Sequence, residues 1–313
     1  MGKKSFVITD WTPVPPVPPE ISGVTAELDK QTGITTWKVT YQGPNHQYEG
    51  AIPDYLYTII PEDLFLISTP VTIETCDGSS ESIEAVYGEK DQGDCTYLID
   101  QDTGLTKLCY RIPADTECMT LIYQTKLGDE AIQHHWSSGT GKKYTVQAEA
   151  AYETDVVSSK SGSVTVEGLP KLVSMGKAGY EYDNTAGNYK INWVVEGNTL
   201  GKQLPELMVT LSYTEGYLED FTNWVEDGSI VLESNGVSIP IDIRSISYDY
   251  DRNQIVLNLT DYQTQFQNGR FSIRYSMRTN SEMSMPGADF SQVSMNHGVS
   301  AQYKITGQET QPY

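Results

Sequence analysis

The feature that most restricts this chain is a strand pattern that occurs twice. Thr32–Tyr41 reads as a turn followed by a strand of alternating character, and Ala186–Val195 reads the same way, with Trp193 standing where Trp37 stands. Each is followed downstream by a similar strand, Met119–Lys126 with Tyr123 and Phe271–Arg278 with Tyr275. Ahead of each of these lies a hairpin with an Asp-containing polar turn, Tyr97–Tyr110 in one half and Tyr248–Leu259 in the other. Period-two alternation buries one face of a sheet, whereas a helix needs apolar residues every three to four positions. No long stretch has that helical period, so a helical bundle and an alternating α/β enzyme fit poorly. The repeat predicts an all-β chain of two tandem antiparallel sandwiches, each of about 140 residues. Trp37 and Trp193 are expected to face inward on equivalent strands. The expected divisions are a Pro-rich arm at 1–19, a first sandwich at 20–167 with a cysteine-bearing insertion, a second at 168–306, and a tail at 307–313.

Charge narrows the partners. The 313 residues carry 42 Asp plus Glu against 21 Lys plus Arg, a net charge of -21. Such a chain repels nucleic acid and anionic lipid, and no apolar stretch suits membrane insertion. With 38% hydrophobic residues it is globular material, not an acidic disordered tail. Tyr is abundant, at 21 residues against 6 Phe. Tyr favours strands and gives amphipathic contact at interfaces, which suits a protein or glycan partner.

The four cysteines, Cys76, Cys95, Cys109 and Cys118, are clustered and form no C-x-x-C pair. An even, clustered count predicts two disulfides and an oxidising compartment. Lys107–Ile122 reads as strand, turn, strand centred near Pro113 and Ala114, which sets Cys109 opposite Cys118 and leaves Cys76 for Cys95.

The other chemical signals are weak. His134, His135 and Trp136 read as a solvated loop without zinc spacing. Asp249, Asp251 and Asn253 alternate as calcium-loop ligands do, but the Gly and distal Glu are missing, so a β-turn is expected. No Gly-rich phosphate loop, G-x-S-x-G elbow or H-E-x-x-H is present. The reading is of no catalytic residue, no metal and no cofactor. Ser5–Trp11 is too short and polar for a signal-peptide core. Pro13, Pro15, Pro16, Pro18 and Pro19 predict an extended, semi-rigid spacer. No sorting signal or apolar anchor stands at the C-terminal end.

At the repeated residues the chain resembles the collagen-adhesin-type, isopeptide-forming Ig-like domains of Gram-positive surface adhesins and pilins. The carrying motifs in the second half are Gly176–Tyr180, Gly187–Trp193, Phe271–Tyr275 and Met295–Val299. In the first half they are Gly33–Trp37, Ile59–Leu64, Leu121–Thr125 and Tyr144–Ala148. Each motif is loose; their order and spacing over residues 20–306 carry the likeness. The resemblance implies Ig-like sandwiches, and in many such domains a buried Lys amine bonded to an Asn side chain with help from a protonated acid. Lys177 occupies the family's Lys place and Asn296 best matches its Asn. The acid has no counterpart where expected: Ser212 stands there, and Glu206 or Glu215 would need a shifted register. In the first half the places hold Val24, Thr58 and Val146, so that unit is expected to lack the bond.

The function expected is a bacterial surface adhesin or pilus and stalk module, extracellular or in the cell wall. It would be structural and bind host or matrix ligands rather than act as an enzyme. The alternative is self-assembly, as a filament or coat subunit whose arm adds as a strand to a neighbour. A carbohydrate-active enzyme would need paired carboxylates in a polar cleft.

Overall fold

The computed structural model of the chain describes residues 14–67, 70–212, 230–279 and 298–305. The first half holds β1 (Glu20–Asp29), β2 (Ile34–Gln42), β3 (Tyr55–Ile60), β4 (Leu64–Leu66), β5 (Val71–Thr75) and β6 (Ser80–Ile83). It continues with β7 (Val86–Tyr87), β8 (Cys95–Ile99), β9 (Thr106–Arg111), β10 (Cys118–Leu127), α1 (Asp129–Ser138), β11 (Lys142–Tyr152) and β12 (Asp155–Val166). The second half holds β13 (Val173–Asp183), β14 (Asn188–Asn198), β15 (Glu206–Ser212), β16 (Val231–Ser234) and β17 (Val237–Pro240). It ends with β18 (Ile246–Asp249), β19 (Gln254–Asn258), β20 (Arg270–Arg278) and β21 (Gly298–Lys304).

These strands form four sheets around two cores. In the first half one sheet runs β1-β2-β10-β5-β6, with β4 beside β10, and faces β12-β11-β3-β9-β8-β7. In the second half β13-β14-β20-β16-β17 faces β18-β19-β15-β21. The two halves repeat strand for strand: β13, β14, β20, β16 and β17 follow the order of β1, β2, β10, β5 and β6. The order β21-β15-β19-β18 likewise follows β11-β3-β9-β8. The first half adds β4, β7, α1 and β12.

Alternation explains the packing. The β2 residues Thr35, Trp37, Val39 and Tyr41 are buried while their neighbours are not, and the β14 residues Ile191, Trp193 and Val195 do the same. Trp37 lies opposite Tyr123 of β10, and Trp193 opposite Tyr275 of β20. The indole of Trp37 donates from Nε1 to Thr125 Oγ1 at 3.0 Å, which satisfies its one polar atom inside the core. Both Asp turns form hairpins, β8–β9 and β18–β19. Asp100 Oδ1 accepts from the backbone N–H groups of Asp102 and Thr103, and Asp249 Oδ1 from that of Arg252.

Two local expectations are corrected. Lys107–Ile122 is not a hairpin: β9 pairs with β3 and β8, while β10 pairs with β2, β4 and β5. The turn at Pro113–Thr116, with Asp115 at φ 65°, carries the chain between the two facing sheets. Residues His134–Trp136 are not a loop but belong to α1. Gly128 and Gly139 bracket that helix, Gly139 in the left-handed region at φ 65°. Asp129 and Glu130 suit its N-terminal turn and His135 its last turn. The helix is short and buries only Asp129, Ala131, Ile132 and His135, too little to stand out as a period in the sequence.

Candidate functional site

The cysteines sort differently from the expectation. Cys76, just beyond β5, is bonded to Cys118 at the start of β10, with Cα atoms 5.6 Å apart. Cys95 and Cys109 are buried thiols. The physical reason is sheet geometry. Cys109 and Cys118 lie in facing sheets, and Cys95 is opposite Tyr110 while Thr96 is opposite Cys109. Residues one step apart in register point to opposite faces. Cys95 packs into the first core, and Cys109 packs on the outer face with Tyr55, Tyr57 and Ala151. Burial pushes the Cys95 thiol up to about 12 and the Cys109 thiol up to about 11.

That outer face was not foreseen. Lys107 Nζ stands 3.9 Å from the Tyr57 ring centre and Lys90 Nζ 4.6 Å from that of Tyr55. Tyr55 donates its hydroxyl to Asp91 Oδ1 at 3.0 Å, which pins the insertion across β3 and β9. The available signal was the run Tyr55–Ile60, apolar at both parities and so marked for burial on both faces.

Lys177 lies on β13 opposite Trp193 in register. Asn296 and Glu215 lie outside the described residues. Ser212 ends β15 and accepts from Gln254 Nε2 at 3.2 Å; Glu206 begins that strand and pairs with Lys304. Among the described residues no Asp or Glu is buried in the second core. In the first half Thr58 and Val146 are wholly buried and Val24 packs against the same core, so apolar and hydroxyl groups fill those places.

The two halves meet in a packed junction. Asn198 Nδ2 donates to the carbonyl of Gln31 in the β1–β2 turn at 2.9 Å. Leu200, from the second half, belongs to the first core. Lys202 Nζ and Asp129 Oδ1 form an ion pair at 2.9 Å, with side chains only 7% and 10% exposed. His135 Nε2 lies 3.2 Å from the carbonyl of Leu169 in the connecting segment. Trp136 meets Tyr303 of β21 edge to face, with ring centres 5.0 Å apart.

Beside the junction opens a cleft of about 580 Å³ walled by both halves: Gln31, the connecting residues Pro170 and Lys171, and the outer face of the sheet holding β14 and β20. Its floor is a cross-strand row of Ser174, Glu196, Ser272 and Glu233. Phe271 is turned into the core, where its ring leaves no room for a Cβ on the facing Gly197. Glu233 pairs with Arg274. Lys171, Glu196 and Arg270 make no direct ion pair among the described residues, and Glu196 acts at longer range on Arg274. Arg270 also acts across the junction on Asp29. Asp29 is held below the usual carboxylate range chiefly by hydrogen bonds from the Thr32 hydroxyl and the Gln31 backbone, with a smaller contribution from Arg270.

No group of three or more His, Cys, Asp or Glu among the described residues is placed to hold a metal ion. No helix among them is long and apolar enough to cross a membrane.

No family model and no curated protein matches the chain. Solved structures with a similar arrangement include surface-adhesin domains. The C-terminal domain of the AgI/II polypeptide BspA of Streptococcus agalactiae is 11% identical, with 84% of this chain and 91% of that one covered at TM-score 0.32. The Enterococcus faecalis protein ACE, described as binding its ligands by the collagen Hug model, is 10% identical over 94% and 90% at TM-score 0.28. The collagen-binding domain of a Staphylococcus aureus adhesin is 15% identical over 47% and 95% at TM-score 0.27. This chain is similar to adhesin-type β-sandwich domains. At such identities and scores the likeness carries no argument about ligand or site.

Proposed function

We propose that the chain is an extracellular, non-catalytic binding module of a bacterial surface, adhesin-like in role, whose ligand lies in the cleft between the two sandwiches. The observation that carries this reading is the cleft itself. It is walled by both halves and presents Lys171, Glu196 and Arg270 without ion-pair partners among the described residues. Unpaired charges of both signs beside Ser174 and Ser272 suit an extended polar chain. The one aromatic ring of the lining, Phe271, is turned away, which favours a polypeptide segment over a glycan that would stack on an exposed ring. The experiment is a binding screen of the whole chain against matrix proteins and glycans, followed by Arg270→Ala and Glu196→Gln. We expect a protein ligand whose affinity falls about tenfold in Arg270→Ala, roughly 1.4 kcal/mol, and weakens with salt. Full affinity in both variants would move the ligand elsewhere.

A Lys177–Asn296 isopeptide bond belongs to the same proposal, as a brace against pulling. It is supported by position: Lys177 lies on β13, and β21, which begins two residues beyond Asn296, contacts β13. The absence of a buried acid among the described residues of that core counts against it. Intact mass decides, since the bond removes one ammonia and Lys177→Ala would restore the mass.

The self-assembly reading has to reckon with an arm whose described part is held on its own chain. Asn45 grips the arm, accepting from Val17 N at 2.9 Å and donating to the carbonyls of Pro15 and Val17 at 2.9 and 3.1 Å. Size-exclusion chromatography with and without the arm, residues 1–19, tests it: a filament subunit loses its assembly with the arm.

A further inference from the structure

The loop Asn198–Lys202 joins two strands of the second sandwich, yet its apex is buried in the first. Leu200 is 8% exposed and sits among the first core's residues; a Cβ built on Gly33 would meet Leu127 on one side and Leu200 on the other. Leu200 holds φ at 53° and Gly201 at 75°. A left-handed leucine is strained and persists only where its surroundings fix it. Here they do. Asn198 Oδ1 accepts from Leu200 N at 2.7 Å while its Nδ2 reaches the Gln31 carbonyl. Thr199 N donates to the Gly269 carbonyl and Lys202 N to the Thr199 carbonyl, at 2.8 and 3.0 Å. Gly269, at φ 79°, faces Gly201 too closely for a side chain. Lys202 then closes the loop on Asp129, the first residue of α1.

The Leu200 packing, the Asn198–Gln31 bond and the Lys202–Asp129 pair depend on the first sandwich, Gly269 holds the loop from the second, and the remaining bonds lie within the loop. Undocked, Leu200 would expose its side chain and lose the packing that offsets its backbone strain, and Lys202 and Asp129 would be hydrated separately. The docked loop is therefore held by the first sandwich, by the second and by its own hydrogen bonds. Gln31 and Asn198 line the cleft as well as the junction, so docking and cleft shape are one geometry.

We infer that Asn198–Lys202 is a plug that couples the two sandwiches into one cooperative body and holds the cleft in shape. Its role at the cleft rests on the binding reading above; the coupling does not.

The test is calorimetry of the full chain at several scan rates. The wild type should melt in one transition. Leu200→Asp places a charge in the first core's apolar socket without removing any residue of the second core, so it should split the melt into two. Leu200→Ala, which keeps the loop neutral, should give an intermediate, broadened melt, and it covers the case in which Leu200→Asp fails to fold. X-ray scattering should show a larger radius of gyration for Leu200→Asp. Two separate transitions in the wild type, or a single transition retained by both variants, would overturn the plug. Loss of ligand binding in Arg270→Ala with two wild-type transitions would leave the cleft and remove only the plug. A single wild-type transition split by Leu200→Asp, with no ligand found, would leave the plug and remove the cleft reading.

Discussion

The two sandwiches share one plan and secure it by different chemistry. In both, a Trp on the second strand faces a Tyr on the strand beside it: Trp37 with Tyr123, Trp193 with Tyr275. In both, an edge hairpin hangs on the far side of the Tyr strand, β5–β6 in the first and β16–β17 in the second. The first fastens its hairpin covalently, through Cys76 and Cys118. The second fastens it with the Glu233–Arg274 ion pair and with Ser234 Oγ, which donates to the Arg270 carbonyl at 3.0 Å. The difference teaches that the scaffold needs the hairpin held, and that the means are interchangeable. A covalent tie limits the unfolded chain, whereas a half-exposed ion pair adds little in water. The first sandwich also supports the insertion that crosses its outer face, so the stronger tie stands where more chain hangs from it.

This comparison can be broken or sharpened by experiment. The largest effect is expected in the shared pair: Trp37→Ala and Trp193→Ala should each destabilise by about 3–5 kcal/mol, measured by denaturant unfolding. A small loss from one of them would end the equivalence of the two Trp strands. Next comes the disulfide. With a sequence separation of 42 between the bonded residues, Cys76→Ser with Cys118→Ser should lower stability by about 4 kcal/mol in the chain-entropy model. Hydrogen exchange should place the loss in the first sandwich, and equal loss of protection in both would contradict the assignment.

Alkaline pH probes the two buried thiols of the first half. Burial raises Cys109 to about 11 and Cys95 to about 12 from a usual value of 9.0. The unfolded chain therefore releases these protons first. The stabilisation is complete below pH 9 and is lost as pH rises through 11 to 12. Unfolding followed against pH should show this loss, and Cys95→Ala with Cys109→Ala should reduce it, the remainder coming from buried tyrosines such as Tyr41, Tyr110 and Tyr248, which burial also raises to about 12. At neutral pH both thiols should resist alkylation until the chain unfolds; rapid labelling of the native protein would refute their burial. The smallest effect is expected from Arg274→Ala, below about 1 kcal/mol, because the pair is partly exposed. A loss as large as that of the disulfide would show the ionic fastening to be the equal of the covalent one.

What could be read from the sequence is what depends on local period. Alternation around Trp37 and Trp193 specifies strands and their buried faces, and the Asp turns specify two hairpins, because a pleat and a turn are decided within a few residues. The charge likewise belongs to the chain itself. The tertiary structure decided the rest. Lys107–Ile122 looks the same whether its strands pair or part to opposite sheets, so the partner of Cys118 depended on topology. Helix α1 lies between Gly128 and Gly139 and packs against both cores through Trp136, a stabilisation that no short window contains. The cleft and the Leu200 plug come from residues far apart in the chain, Gln31 with Asn198 and Lys202 with Asp129 among the contacts that build them. Local pattern sets which face of a strand is buried; only closure of the whole chain sets what that face, and the loop beyond it, will touch.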